Sequence, residues 1–179
     1  MTFSNPAGGA AAAAAAYVRA LLEVLGDREP LQVLAELGGW LERRFDGVPD
    51  AALRRAEAPG TWSALEVVQH LADSDLVFGF RMRMILTADR PPLQGYDQDR
   101  WATTLRYRDL ALADALVQLD ALRTANLRVL RRLGPTELER TGVHGERGAE
   151  SLEHLTQLMA AHDLVHRRQI ERVLAAAGA

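Results

Sequence analysis

The C-terminal part of the chain repeats buried-type side chains with the period of an α-helix. One stripe, spaced by three or four residues, contains Leu152, Leu155, Met159, His162, His166, Ile170 and Val173. This spacing is typical of a helix that buries one face, and Ser151 stands at the expected N-cap position. We therefore predict a long final helix whose buried stripe faces other helices and includes two histidines.

The rest of the sequence is also helical in character. Strong helix formers dominate it, and no series of β-branched runs alternates with period two, which predicts an all-α fold. The expected helices are, approximately, Ala10–Leu25, Leu31–Phe45, Ser63–Thr87, Asp109–Leu133 and Ser151–Ala177. The long irregular stretch 89–109 separates the third from the fourth. Long helices with one long crossover suit a four-helix bundle, with the crossover between bundle helices 2 and 3 and an extra N-terminal helix.

Composition and charge exclude several classes of function. The chain has 179 residues and a net charge of −3, with no clustered basic stripe, which argues against nucleic-acid binding. Cysteine is absent, so any metal must bind to His, Asp, Glu or backbone oxygen. The Ala-rich N-terminus is too weakly hydrophobic for a signal peptide or a membrane span. We expect a cytoplasmic protein with a flexible start and Ala-rich helix in residues 1–26 and a bundle domain in residues 27–179.

Three histidines fall on inward-facing helical stripes. His162 and His166 are one turn apart, which places their Cβ atoms about 5–6 Å from each other. His70 lies on an apolar face of the Ser63 helix, and antiparallel packing of this helix on the last one would bring all three to one level. The pattern alone leaves two interpretations open. The histidines either hold a metal ion with an open coordination position, as in catalytic sites, or are partly buried side chains satisfied by hydrogen bonds.

Four segments together resemble a known family. They are "TWSALEVVQHLADSD", "GYDQDRW", "HGERG" and "AAHDLVHRRQIERVL". They resemble the DinB/YfiT-like family of metal-dependent four-helix-bundle proteins, and the resemblance covers roughly residues 31–177. It implies a bundle with a crossover between its second and third helices. It also implies a divalent metal, zinc or nickel, bound by His70, His162 and His166.

The resemblance implies an enzyme that acts on a small-molecule substrate. Related proteins transfer or isomerise groups with low-molecular-weight thiols, so we expect a transferase of this kind. An open metal position suits a hydrolase equally well. A non-catalytic bundle that binds a ligand or mediates oligomerisation is a further alternative. Base rates and the resemblance favour a homodimer.

Three other residues are candidates for a catalytic role. Gln169 follows His166 by three residues and is expected either to orient that imidazole or to lie as a polar residue at the bundle edge. Asp97, on the crossover, is expected to be a base or a substrate contact, with turn formation as the alternative. Asn126 interrupts an apolar stripe and either lines the pocket or makes a structural hydrogen bond.

Several further charged residues have simpler explanations. Glu66 completes a capping box with Ser63, which we favour over a contact with His70. Asp163 is expected to be solvated or bonded to a neighbouring helix. Arg81 and Arg83 are expected to be surface charges, with binding of an anionic substrate as the alternative. The "HGERG" loop is expected to be structural or part of a dimer contact, away from the metal level.

Overall fold

The computed structural model describes residues 11–179, which form a mostly helical bundle. The predicted flexible start, in residues 1–10, lies outside the described residues. The helices are α1 (Ala11–Leu25), α2 (Pro30–Phe45), α3 (Asp50–Leu53), α4 (Ala64–Thr87), α5 (Gln98–Thr104), α6 (Leu112–Leu130), α7 (Pro135–Leu138) and α8 (Leu152–Ala177). The strands are β1 (Pro92–Leu93), β2 (Thr141–His144) and β3 (Gly148–Ser151), and residues Tyr107–Asp109 form a 3-10 turn.

The four long helices α2, α4, α6 and α8 form the bundle. α4 packs against α6 and α8, α2 also packs against α6 and α8, and α1 packs against α8. The chain between α4 and α6 is the long crossover, so it connects the second and third bundle helices. The predicted four-helix bundle with an extra N-terminal helix is confirmed. None of the helices within residues 11–179 is long and apolar enough to cross a membrane.

A small sheet adds to the helices and was not predicted. Its order is β1-β2-β3, with β1 parallel to β2 and β2 antiparallel to β3. Each strand is only two to four residues long, which is too short for an alternating pattern to stand out in sequence. The sheet joins the crossover to the hairpin that precedes α8.

Side-chain caps begin two of the long helices where the sequence predicted them. Ser63 and Glu66 form a reciprocal capping box at the start of α4, and Ser151 accepts from the backbone N–H of His154 at 3.1 Å. Asp109 was expected to cap the fourth helix, and this prediction was wrong. Asp109 belongs to the 3-10 turn, where its carboxylate accepts from Arg106, and α6 begins after Ala111 without a side-chain cap.

Helices α4 and α8 run antiparallel, as the sequence argument on the histidines assumed. His70, in the first half of α4, meets His162 in the middle of α8. At the other end, Arg140 donates to the carbonyl of Ile85 at 2.8 Å and accepts from the N–H of Leu152 at 2.9 Å. The end of α4 therefore lies beside the start of α8.

Two apolar clusters fill the bundle, on either side of a layer of polar side chains. The first cluster includes Leu21, Leu34, Phe78, Met82 and Leu155. The second includes Leu37, Leu41, Leu71, Ile170 and Leu174. Between these positions along α4, α6 and α8 lie the residues that we call the polar layer: His70, Ser74, Asp75, Arg123, Asn126, His162, Asp163 and His166. Most of the functional candidates therefore sit inside the bundle.

Two helical glycines are expected to respond oppositely to alanine. A Cβ on Gly79 of α4 would overlap the amide of Asn126, with its Nδ2 only 2.9 Å away. Because that amide is buried and bonded to Asp75, Gly79→Ala should lower the free energy of unfolding by about 1–3 kcal/mol. Gly38 in α2 has open space around the Cβ position, so Gly38→Ala should raise it by roughly 0.5–1 kcal/mol. Urea unfolding measures both, and a stabilising Gly79→Ala would contradict the close approach of α4 and α6.

Candidate metal centre

Three imidazoles meet between α4 and α8. Nε2 of His162 lies 2.9 Å from Nε2 of His70 and 3.0 Å from Nε2 of His166. All three nitrogens lie within 4.8 Å of one another. α8 supplies two of them because residues one turn apart share a face, and the antiparallel packing of α4 supplies the third. The structure thus brings together the three histidines that the sequence singled out.

Burial keeps these imidazoles neutral. It lowers the pKa of His70 and of His162 well below 6.5, and the neighbouring histidines lower both further. Burial also lowers the pKa of His166 to about 4, although its hydrogen bond to Gln169 opposes the shift. At neutral pH the cluster therefore presents uncharged imidazoles, the form in which histidine binds metals.

The hydrogen bonds of the cluster leave some of its nitrogens unsatisfied. His166 Nδ1 lies 2.7 Å from Gln169 Oε1, and an amide oxygen only accepts, so His166 carries its proton on Nδ1 and has a lone pair on Nε2. The Nε2 atom of His162 lies within hydrogen-bonding distance of two other Nε2 atoms. One proton can form a hydrogen bond within only one of these two pairs, so the three nitrogens are not all satisfied. Nδ1 of His162 is buried without a hydrogen-bond partner. His162 is therefore not fully satisfied by hydrogen bonds, which argues against the second interpretation of the histidines.

A cavity of about 110 Å³ adjoins the cluster. His162 and Ser74 line it, together with Tyr96 from the crossover. Ser74 Oγ lies 3.4 Å from His70 Nε2 and 3.1 Å from the Tyr96 hydroxyl. Burial raises the pKa of Tyr96, so the phenol stays protonated at neutral pH. Hydroxyl groups therefore lie between the histidine cluster and the cavity.

The structure places the three catalytic candidates in different surroundings. Gln169 contacts His166, as an orienting residue should. Asn126 is buried in the polar layer, where its Nδ2 donates to the Asp75 carbonyl at 2.9 Å, and it is not among the residues that line the cavity. Asp97 caps α5 by accepting from the N–H of Arg100 at 2.9 Å. A catalytic role for any of the three stays a prediction.

A buried ion-pair network in the polar layer was missed in the sequence. Nη2 of Arg123 donates to Asp75 at 2.7 Å, and its Nη1 donates to Asp163 at 2.6 Å. Asp163 is fully buried, and burial raises its pKa to about 6 although Arg123 opposes the shift. The available signal was Arg123 itself, since it lies four residues after Leu119 on the buried stripe of α6.

Glu66 takes part in the capping box at the start of α4 and not in a contact with His70. Its Oε2 accepts from the N–H and the hydroxyl of Ser63 at 2.8 and 2.9 Å, and its Oε1 accepts from Arg108. The capping interpretation is confirmed.

The "HGERG" loop was placed wrongly by the sequence argument. It forms the turn between β2 and β3, and Arg147 from this turn lines the same cavity as His162. His144 at the end of β2 is buried. The hairpin reaches the site because β2 pairs with β1 of the crossover, a contact between segments about 50 residues apart that local sequence patterns do not reveal.

Comparison with known proteins supports this assignment of the fold and identifies relatives of the chain. The family model of the DinB superfamily matches residues 34–170. A relative from Oceanobacillus iheyensis, named "Putative metal-dependent hydrolase", is 33% identical over 107 residues, which cover 60% of this chain and 62% of that protein. A relative from Bacillus mycoides with the same type of name is 29% identical over 154 residues, covering 86% and 88%.

A solved structure shares the fold. YfiT from Bacillus subtilis, described as "a probable metal-dependent hydrolase with an unusual four-helix bundle topology", superposes with a TM-score of 0.72 at 25% identity. The superposition covers 80% of this chain and 84% of YfiT. Together with the family match over most of the bundle, this shows that the chain belongs to the DinB superfamily.

Proposed function

We propose that this protein is a divalent-metal-dependent enzyme that hydrolyses a small-molecule substrate, with the metal bound by His70, His162 and His166. Zinc or nickel is the proposed ion. The carrying observation is the convergence of three neutral imidazoles on one point beside a cavity. The names of the relatives agree with hydrolysis.

Two of the three separations between the histidine nitrogens have the length that a shared metal ion requires. Nitrogens bound to one ion at about 2.0–2.1 Å, with angles of 90–110° between them, lie about 2.9–3.4 Å apart. The separations from His162 Nε2 to His70 Nε2 and His166 Nε2 are 2.9 and 3.0 Å, within this range, and all three ligand nitrogens lie within 4.8 Å of one another. A metal cation would bind the lone pairs of all three nitrogens. No arrangement of protons among the three nitrogens gives each of them a hydrogen bond. Three protein ligands also leave a position for substrate or water, as in catalytic sites.

The surrounding residues prepare the site for this chemistry. A bound divalent ion would supply Lewis acidity toward water or a substrate carbonyl. Gln169 holds the proton of His166 on Nδ1 and fixes the ring orientation. The ring of Trp62 lies 4.9 Å from that of His70 and restricts its movement. Ser74 and Tyr96 offer hydroxyl donors toward the cavity.

Metal content tests the first part of the proposal. Protein purified without a His-tag should bind about one zinc or nickel ion per chain, and the triple variant His70→Ala/His162→Ala/His166→Ala should bind less than about a tenth of an ion. His154→Ala is the matched control because His154 lies on the same helix but outside the cluster. Equal metal content in the triple variant and the control would refute the site.

Activity tests the second part. Metal-loaded protein should hydrolyse at least one substrate class in a panel of esters, amides and lactones, and chelation or the triple variant should abolish the hydrolysis. Transfer to a low-molecular-weight thiol, which the family resemblance implies, is assayed in parallel because a bound metal also lowers the pKa of a thiol. Hydrolysis that persists in the triple variant would show that the cluster is not the active site. The expected homodimer and cytoplasmic location stay predictions.

Gln169 provides a finer prediction. Gln169→Leu removes the acceptor for His166 Nδ1, so metal affinity should fall by roughly 10–100-fold, whereas Gln169→Glu keeps an acceptor and should retain most of it. Competition with a chromophoric chelator measures the affinity. Arg168→Leu, at the exposed neighbouring position, is the control. An unchanged affinity in Gln169→Leu would mean that Gln169 is only a polar residue at the bundle edge.

A further inference from the structure

We propose that the cavity beside His162 binds a small substrate through a carboxylate group, and that Arg81 is the anchor for this group. The inference deepens the proposed function by naming a substrate class for the same site. It rests on that function for its link to catalysis, but the binding itself is measurable without metal.

Arg81 is a half-buried arginine with one buried donor that has no partner. It projects from α4 into the cavity, where its Nη2 donates to the Gln94 carbonyl at 2.5 Å. Its Nε is buried and has no hydrogen-bond partner. Among the ion pairs of residues 11–179, none involves Arg81. A buried charged donor without a partner is rare and costly, so a ligand that accepts from it is the simplest explanation.

The neighbouring Arg83 has a different environment. It lies two residues further along α4 and is exposed, and its Nη1 donates to the Gly79 carbonyl and to Asn126 at 2.8 and 3.0 Å. The sequence treated both arginines alike as surface charges. The structure separates them, because only Arg81 of this pair lines the cavity.

The charge balance of the cavity favours a single negative charge. The other arginine in its lining, Arg147, donates from Nε and Nη2 to the carboxylate of Glu150 at 2.5 and 2.9 Å. Arg81 is therefore the arginine of the cavity lining that forms no ion pair among residues 11–179, and Glu150 acts on it only through the longer-range effect of its charge. Burial and the charge of Arg147 lower the pKa of Arg81, yet arginine remains protonated in proteins. A guanidinium can bind either a carboxylate or a phosphate, but the single positive charge of Arg81 is balanced by one carboxylate and not by a doubly charged phosphate.

The size and walls of the cavity limit the rest of the ligand. A cavity of about 150 Å³ accommodates benzene, so 110 Å³ suits a ligand of only a few non-hydrogen atoms. Apolar walls are provided by Val77, Phe78, Leu155, Leu158 and Met159. They suit a short alkyl chain. Because His162 lines the same cavity, a carboxylate held by Arg81 would place the remainder of the molecule beside the histidine cluster.

The test compares two isosteric probes, propionate and propionamide, that differ in charge. NMR titrations of the full chain are run after chelation and again with zinc added, on the wild type and on Arg81→Gln, Arg81→Lys and Arg83→Gln. Propionate should bind roughly 10–100-fold more tightly than propionamide. Arg81→Gln should abolish this preference, Arg81→Lys should keep part of it, and Arg83→Gln should keep it all. Thermal melting reports whether each variant folds. If Arg81→Gln does not fold, the role of Arg81 is decided by the two probes on the wild type and on Arg81→Lys.

Three outcomes would overturn the inference. Equal binding of the two probes would show that the cavity does not select a negative charge. A preference that survives in Arg81→Gln, or that occurs only with zinc, would show that the carboxylate binds elsewhere or directly to the metal. Tighter binding of inorganic phosphate than of propionate would reject the carboxylate assignment. Arg81-dependent binding in chelated protein supports the inference even if the hydrolase screen finds no activity, so the two proposals fail separately.

Discussion

The substitution Arg123→Met is expected to lower the free energy of unfolding at pH 7 by about 3–5 kcal/mol, because it leaves two buried carboxylates without a counter-charge. Arg123 donates to both Asp75 and Asp163, and its Nη1 also donates to the Leu34 carbonyl at 2.7 Å. Methionine replaces much of the side-chain volume but none of these donors. Urea unfolding of the wild type and the variant measures the difference.

An exposed ion pair supplies the control for this loss. Arg172 donates to Glu57 through Nε and Nη2 at 2.7 and 3.0 Å, but half of the Arg172 side chain is exposed. Arg172→Met should therefore cost no more than about 1 kcal/mol. Similar losses in the two variants would contradict the view that burial makes the Arg123 network critical.

The cost of Arg123→Met should depend on pH. Burial already raises the pKa of Asp163 to about 6, and removal of the guanidinium that opposes this shift should raise it further. A carboxyl group with a raised pKa in the folded state contributes stability at low pH that is lost as pH rises through that pKa. The difference between variant and wild type should therefore be smaller at pH 5 than at pH 8. A difference independent of pH would mean that removal of Arg123 leaves the pKa of Asp163 unchanged.

Zinc is expected to stabilise the protein by about 4 kcal/mol when its free concentration is 1,000 times the dissociation constant. The expectation follows from the proposed three-histidine site, since the unfolded chain does not hold the three imidazoles together. The triple histidine variant should show no such gain, and His154→Ala should show all of it. Chemical unfolding at fixed free zinc measures the effect. Equal stabilisation of the triple variant would place the zinc site elsewhere.

The same cluster should make the metal-free protein sensitive to acid. Burial lowers the pKa of His166 to about 4 and lowers those of His70 and His162 in the same direction. Below pH 6.5 the unfolded chain binds protons that the folded cluster does not, so stability falls as pH falls. His166 alone should account for a loss of roughly 2 kcal/mol between pH 7 and pH 5. The raised pKa of Asp163 acts in the opposite direction and offsets part of this loss.

The triple variant distinguishes this effect from general acid denaturation. Its stability should change much less between pH 7 and pH 5 than that of the metal-free wild type, since the groups that resist protonation are gone. Urea unfolding followed by intrinsic fluorescence at several pH values measures how the free energy of unfolding changes with pH. A slope unchanged by the triple substitution would assign the acid sensitivity to other groups.

Features set by local spacing were predictable from sequence. The stripe of α8 gave both His162 and His166 an inward direction, and the capping box at Ser63 fixed the start of α4. With antiparallel packing of the two helices, the lengths counted from these starts allowed His70 to lie at the level of the other histidines. Periodicity and helix rise are properties of the backbone itself, so the only tertiary assumption needed was that the two helices pack antiparallel.

Features set by contacts between distant segments were not predictable in the same way. The pairing of β1 with β2 brings Arg147 to the cavity, and nothing near Arg147 in sequence signals that pairing. Arg81 and Arg83 look equivalent in sequence, and only the packing of the crossover against α4 distinguishes them. Asp163 forms an ion pair with Arg123 of a neighbouring helix. A bond to a neighbouring helix was one of the two expectations for Asp163, but its partner could not be identified from sequence.

The position of the polar layer between two apolar clusters has a consequence for alignment of the helices. A slip of α8 along α4 by one turn, about 5.4 Å, would push charged and imidazole groups into an apolar cluster and leave them unpaired. The apolar clusters would tolerate such a slip far better, since leucine packs against leucine in either alignment. The layer therefore rules out sliding, a role in which buried polar groups are well attested. The alignment that the layer favours is also the one that brings the three Nε2 atoms together, so assembly of the site and selection of the native alignment are linked.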